Sequence, residues 1–573
     1  MKSKESKESI KPESTMPTTA SKKLQPVEEK NLLKRERSLA ELDKAIKYLN
    51  EGKFYLFQGA DVLDFKEGID WEYEHPHSTA TYQVYLHSLD IVNYLCNQYK
   101  KTKETYLLEK SLNILNDWME YDKSDPKNPP EKMWYDHPAA CRALTITFFY
   151  VLAKNTLTLD EGVIYDCLVK HAQFLYQDEI YRPNNHGIMM DRALLLTSIV
   201  LAQHNDAKKW QNRALARLKE AFNRDFSFKG THLENSPDYH IIVMKLFKST
   251  EKFLKKNNLS LGKEFRNRLK QAENYFQYLA KPDKTLPMLG DSSSVAKIRA
   301  EKKFDDFLDI QAGIAIVQQL NKKKPDQSTW LTFICGYGSK THKHRDDLSF
   351  NLFWQGKDIF IDSGKYNYDI KNKYRAYVIS PMAHNTVTIE NWTYRLDAPQ
   401  VSQNNISITD FISNSVYSLI KGKNLNYKGK EIYRTLIFLK PDIIIIFDKI
   451  LGKSKAKALQ LFNLAPSAKI TELKENSVSI SIGDDEIEMI SLLDIDDIKI
   501  YFGDRKLPRG IMSQKFAQLT DISQIEISKK GTNLEFLTLI KLGDPTNLPK
   551  ISYDRSLSLL TITTDDKDFN LIL

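Results

Sequence analysis

LSFNLFWQGKDIFI, Leu348–Ile361, is the stretch on which the fold turns. Apolar and polar residues alternate on either side of Gln355-Gly356, the pattern of two strands joined by a tight turn. Strand-like runs continue downstream in Asp442–Asp448 (DIIIIFD), Leu459–Leu464, Val478–Ile482 and Leu557–Thr563. Upstream the period is helical. Leu39, Leu42, Ile46 and Leu49 share one face, with Gly52 placed to end that helix, and Leu108, Leu112, Leu115 and Met119 repeat the spacing. Further helices are expected over Ala139–Lys154, Asp191–Gln203, Trp210–Phe222, Tyr239–Leu254 and Leu261–Leu279, separated in places by Pro and Asn clusters. Lys281–Ser294 (KPDKTLPMLGDSSS) is a loop where the period changes. Helices in series followed by strands imply segregated layers, an α+β multidomain chain with a helical toroid or solenoid first and an antiparallel β-sandwich second. The expected boundaries are a disordered tail over 1–30, a helical domain over 31–300 and a β domain over 301–573.

Composition supports large packed cores. Hydrophobic residues make up 41% of the 573 and aromatics 11%, which argues against general disorder. Lys and Arg number 83 against 74 Asp and Glu, a net charge of +9. That excess suits an acidic partner but is too weak and dispersed to imply nucleic acid. Cys96, Cys141, Cys167 and Cys335 share no short spacing, so buried free thiols are expected rather than disulfides or a Cys-rich zinc site. The first thirty residues are rich in Lys, Ser, Glu and Pro and lack the apolar block of a secretory signal, and no window has the length of a membrane span. As written the chain reads as cytoplasmic, or as periplasmic or secreted if a leader has been removed.

Histidine is used unevenly. Twelve are present and none follows His384. The densest cluster is THKHRDDLSF, Thr341–Phe350. In an extended segment His342 and His344 would project from one face. Asp362, at the end of the returning strand, and His384, in SPMAHNT, add to it. His344, Asp362 and His384 with a water would complete a tetrahedral, zinc-like site, or the histidines are core residues bonded to Asp362. YRPNNHGIMMD (Tyr181–Asp191) is a polar loop entering a helix, where Asn184 and Asn185 either cap and turn or offer an amide to a substrate carboxylate. THLENSPDYH (Thr231–His240) is another, with Tyr239 either catalytic or an anchoring aromatic. In MWYDHPAACRAL, Trp134 offers a stacking face and Arg142 a cation for an anionic sugar, with His137 beside them, against ordinary helix-packing roles for all three.

Taken together, NNHG, HLENSPDYH, LPMLGDS, HKHRDDLSF followed by DSGKYNY, and AHNT closely resemble the heparinase II/III family of polysaccharide lyases, over roughly residues 40–460. The resemblance implies an incomplete helical toroid followed by an antiparallel β-sandwich. It implies Asn185 as the carboxylate-neutralising residue, Tyr239 as the catalytic tyrosine, His342 as the catalytic histidine, and His344, Asp362 and His384 as ligands of a divalent metal, zinc by type. His186, Glu234, Trp134, His137, Arg142 and Arg345 are expected to line the substrate groove. The chain departs from the common pattern at Arg345-Asp346-Asp347, where smaller residues are usual after the second His.

The implied reaction is β-elimination at a uronic acid of an anionic polysaccharide, a glycosaminoglycan such as heparan sulfate. Hyaluronan, chondroitin, alginate and bacterial exopolysaccharides are alternatives of the same chemistry. A glycoside hydrolase would need an opposed carboxylate pair, and a non-catalytic binding protein would not need the Asn/Tyr/His set. A donor to the carboxylate stabilises the enolate-like charge, a base removes the C5 proton and an acid protonates O4. Tyr239 can act as either partner; to be the base its pKa must fall from about 10, a shift that a nearby cation such as Arg345, or the metal-organised site, would provide.

Overall fold

The computed structural model describes residues 22–33, 35, 39–57, 60–65, 68–293, 297–546, 548–563 and 568–573. Of the expected tail, residues 1–21 lie outside the described residues. Residues 22–30 do not behave as a tail: Leu24 and Val27 are buried, Gln25 N–H donates to Val200 O at 2.8 Å, and Glu29–Asn31 forms a 3₁₀ turn. Two spaced apolar residues in a polar stretch were enough to dock it.

Ten helices precede the strands among the described residues: α1 Leu39–Asn50, α2 Thr79–His87, α3 Asp90–Thr102, α4 Tyr106–Lys123, α5 Asp136–Ala153, α6 Glu161–Tyr176, α7 Asn185–Val200, α8 Ala207–Asp225, α9 Pro237–Lys256 and α10 Lys263–Leu279. In α4 the buried residues Leu107, Leu108, Ser111, Leu115, Trp118 and Met119 recur at three- and four-residue steps, so one stripe is apolar. α5 is buried around nearly its whole circumference and packs against α2, α3, α6 and α7. None of the described helices is long and apolar enough to cross a membrane. Cys96, Cys141 and Cys335 are buried free thiols as expected, whereas Cys167 is only half-buried.

The described residues form two compact units. One runs to Ala221 and includes Lys248–Leu261; the other comprises Phe222–Phe247 and Gly262–Leu573. The second unit therefore contains the Thr231–His240 loop as well as all the strands.

In that second unit Leu348–Ile361 is a hairpin. Ser349–Trp354 pairs antiparallel with Lys357–Phe360 across Gln355 (φ 50°) and Gly356 (φ 77°), a turn with two left-handed residues of the kind that matches strand twist. It closes a five-stranded antiparallel meander with Phe307–Asp309, Ile314–Gln319 and Thr329–Ile334. An eight-stranded sheet and a four-stranded sheet share one large core with it. Ile443–Gly452, which contains the isoleucine run, lies inside the eight-stranded sheet. Ile444 and Ile446 face the large core; Ile443, Ile445 and Phe447 face a second cluster with Leu560 and Ile562 of the C-terminal three-stranded sheet. A strand covered on both faces reads as continuously apolar, which is why alternation is lost there.

Candidate active site

His344 and Asp362 flank the open end of the hairpin, and the loop before it carries His342. This segment is not extended: His342 has φ 57°, in the left-handed region, so period-two alternation does not place the two imidazoles. They converge instead on Asp291, in the Gly-Asp-Ser turn of the Leu286–Ser292 loop. His342 Nδ1 lies 3.1 Å from Asp291 Oδ2 and His344 Nε2 lies 2.9 Å from Asp291 Oδ1. Arg375, on α11 (Lys373–Val378), donates to the same Oδ1 at 2.5 Å. Burial raises the Asp291 pKa, but the hydrogen bonds from His342, His344 and Arg375 outweigh it and hold the carboxyl well below the usual carboxylate range.

Close backbone approach makes this convergence attainable. Gly290 has φ 52°, and a Cβ there would come within 2.4 Å of Asn235 O and 2.9 Å of His342 O. Asn235 Nδ2 donates to Ser339 O (2.9 Å) and Thr341 O (3.1 Å), and Ser236 Oγ donates to Asp291 O at 3.1 Å. Three loops distant in sequence are thereby knitted together.

On that frame Tyr239 and His342 stack with ring centroids 3.4 Å apart and planes 18° from parallel. The Tyr239 hydroxyl lies 3.0 Å from that of Tyr368. Burial, and then the hydrogen bond to Tyr368, push the phenol pKa well above its ordinary value. The shift is opposite to the one a Tyr239 base requires. Arg345, the cation assigned to lower the pKa, donates through Nε to Tyr394 O at 2.5 Å. Glu234 is buried, with its carboxylate 3.7 Å from His342 Nε2, and burial followed by the charge of Asp225 raises its pKa to about 7. Its neighbour is the histidine, and it has little surface left for a substrate. Asp346 and Asp347, the departure from the family pattern, also point inward and pair with buried Lys343 at 2.9 and 3.0 Å.

His344, Asp362 and His384 are all buried, and their ligand atoms lie within 4.8 Å of one another. His384 Nδ1 is 2.9 Å from Asp362 Oδ2. His344 Nδ1 and His384 Nε2 are buried and have no hydrogen-bond partner among the described residues. Buried ring nitrogens without partners are costly unless something binds them. Two imidazoles and a carboxylate are a donor set that can hold a divalent ion.

The first unit carries the remaining expected residues. Asn184 caps α7, accepting from His186 N–H at 2.8 Å, so capping does not occupy Asn185, the first helical residue. His186 Nδ1 lies 3.3 Å from Asp136 Oδ2, and its ring stacks on His137 at 5.3 Å. Trp134 is half-buried, donates to Asp122 at 2.8 Å and packs on His171 and Phe174. Arg142 does not line a groove. It is 0% exposed and donates to His171 Nε2, His87 O and Met133 O at 2.9, 2.6 and 3.0 Å. As the seventh residue of α5, a helix buried on nearly all sides, it is turned inward.

Asp291, Tyr368 and Arg375 were not among the expected site residues. Asp291 and Tyr368 do lie inside stretches already singled out, LPMLGDS and DSGKYNY. Arg375 lies in no such stretch.

Two family models match nearly end to end: the heparinase II/III N-terminus over residues 14–313 and the heparinase II/III-like C-terminal region over residues 304–551. A heparin-sulfate lyase of Bacteroides thetaiotaomicron is 20% identical over 456 residues, 69% of this chain and 63% of that protein. One from Bacteroides stercoris is 20% identical over 334 residues, 52% of this chain and 48% of that protein. The chain thus spans less than two-thirds of the length of these curated relatives. Among solved structures, a heparinase III superposes with a TM-score of 0.76 at 18% identity, covering 96% of this chain and 93% of that one. A heparan sulfate lyase mutant from Pedobacter heparinus gives 0.71 at 16%, covering 96% and 92%. These likenesses carry the fold, a helical toroid followed by antiparallel β-sheets. With both halves matched by their models, the chain belongs to the heparinase II/III family.

Proposed function

We propose that the protein is a polysaccharide lyase that cleaves 1→4 linkages at uronic acid residues of a glycosaminoglycan, heparan sulfate-like, by β-elimination. The observation that carries this reading is the stacked Tyr239–His342 pair with Asp291 behind Nδ1. A proton on Nδ1 donates to Asp291, leaving Nε2 with its lone pair as the base for C5–H. Tyr239, its pKa raised, keeps its proton and is the acid that protonates O4 as the C4–O4 bond breaks.

No sugar ring fits between two rings 3.4 Å apart, so acid and base serve the same face of the substrate. A glucuronate loses its C5 proton and O4 from one face and suits this arrangement; an iduronate, which loses them from opposite faces, does not. Asn185 is kept as the amide that neutralises the uronate carboxylate, a role that rests on the NNHG motif and on Asn184 doing the capping. A divalent ion, zinc by the donor set, would be held by His344, Asp362 and His384 and would stiffen the segment that carries His342.

The test is a panel of uronate polymers, heparan sulfate, hyaluronan, chondroitin, alginate and a bacterial exopolysaccharide, followed by ultraviolet absorbance of the unsaturated product. Growth in absorbance on a glycosaminoglycan, abolished in a folded Tyr239→Phe variant, is the expected result. New reducing ends without absorbance would mean hydrolysis and refute it, as would near-normal turnover by that variant.

A further inference from the structure

Tyr368 is 48% exposed, yet its hydroxyl lies 3.0 Å from that of Tyr239. Behind it stands Lys365, whose Nζ lies 3.5 Å from the Tyr368 hydroxyl and 3.8 Å from Asp238 Oδ2. An ammonium can only donate. The Tyr368 oxygen accepts from Lys365 and, through its second lone pair, from the Tyr239 O–H, the direction that raises the Tyr239 pKa. When Tyr239 gives its proton to a substrate, the Tyr368 O–H turns to the phenolate oxygen left behind.

We propose that Tyr368 is a positioning and proton-return residue, linking the half-buried acid Tyr239 to solvent; the proposal rests on the lyase reading above. As the C4–O4 bond breaks, the Tyr239 O–H bond breaks with it and its proton goes to O4, leaving a phenolate. The Tyr368 O–H donates to that phenolate, first stabilising it and then passing its proton across. Tyr368 recovers a proton from water or from the Lys365 ammonium, which water then refills. The C5 proton leaves separately, through His342. One proton is taken up from solvent and one released per turnover, so the chain balances without a co-reactant.

The half-exposed Tyr368 ring is only lightly packed: Phe516 lies tilted against it with its centroid 6.3 Å away, and Lys365 Nζ and the Arg375 guanidinium lie 5.6 and 5.9 Å from its own centroid. Three donors in a line, one of them the residue assigned as acid, are what a proton path requires.

The test uses the full chain and two substrates, heparan sulfate and a 4-deoxy-4-fluoro-glucuronide, whose fluoride departs without general-acid help. Tyr368→Phe should lower kcat on heparan sulfate by about 10- to 100-fold, toward the lower end of general-acid effects, with KM within about twofold. On the fluoride substrate the same variant should keep a wild-type rate. Lys365→Met should show the same contrast at smaller size. Because the contrast is read within one protein, poor folding cannot imitate it. An unchanged kcat on heparan sulfate, or an equal loss on both substrates, overturns the proposal. Tyr239→Phe, run alongside, separates the two levels: if it stays active the lyase reading and the relay both fall, whereas if it is inactive and Tyr368→Phe is normal, the relay alone falls.

Discussion

Asp291→Asn is the perturbation on which the candidate site is most exposed. The carboxylate accepts from His342 Nδ1, His344 Nε2 and the Arg375 guanidinium, all buried or nearly so. An amide of the same shape keeps one acceptor oxygen, turns an N–H toward a donor, and removes the charge. Two losses follow, and they are separable. For catalysis, a charge-assisted hydrogen bond that orients the imidazole is worth about 1.5–3 kcal/mol. At 1.36 kcal/mol per tenfold, kcat should fall by about 10- to 100-fold with little change in KM. For stability, the buried Arg375 charge loses its partner carboxylate, at a cost of about 3–5 kcal/mol. Initial rates from product absorbance give the first number, and denaturant unfolding read through the aromatic fluorescence gives the second. If the variant kept full kcat while losing stability, Asp291 would be a structural anion and His342 would not depend on it. If it lost neither, the convergence of His342, His344 and Arg375 on Asp291 would be energetically empty.

Other outcomes follow from the same geometry. Glu234 has its folded pKa raised to about 7 from 4.5, so the folded state holds the proton more tightly. Its contribution to stability is complete below about pH 4.5 and is lost as pH rises through 7; Glu234→Gln should therefore flatten the melting temperature between those limits, which thermal melts across pH will show. Arg142→Met should lower stability by about 1–3 kcal/mol, by stranding His171 and two carbonyls, while KM stays unchanged in the folded fraction; a raised KM with normal stability would return Arg142 to the groove. His384→Ala should lose bound metal, measured as ions per chain by elemental analysis of the purified protein, and the wild type should carry about one.

How far the sequence reached depends on the kind of signal. The hairpin at Leu348–Ile361 was readable because its pattern is local: alternation, then two turn residues that tolerate positive φ. The grouping of His344, Asp362 and His384 was readable because each lies in a motif that resembles the family's. Arg142 was misread because the sequence around it looks like a loop entering a surface helix; α5 is central, and only packing on several sides reveals that. Asp291 was missed for a related reason. An acidic residue in a Gly-Asp-Ser turn has an ordinary local explanation, and its task appears only when loops distant in sequence meet on it. The paired imidazoles were anticipated, but by alternation that the left-handed φ at His342 forbids.

The knitting of loops over Gly290 also has a meaning in time. Asn235, Gly290 and His342 leave the ribosome in that order, with about a hundred residues between first and last. At roughly 5–20 residues per second, the segment carrying Tyr239 waits several seconds before its stacking partner exists. Until then Tyr239 has neither His342 nor Tyr368, and Asn235 has no Ser339 or Thr341 carbonyl to hold. A nascent chain therefore carries no assembled proton-transfer pair while its helices fold, and the pair forms only once the opening strands have been synthesised.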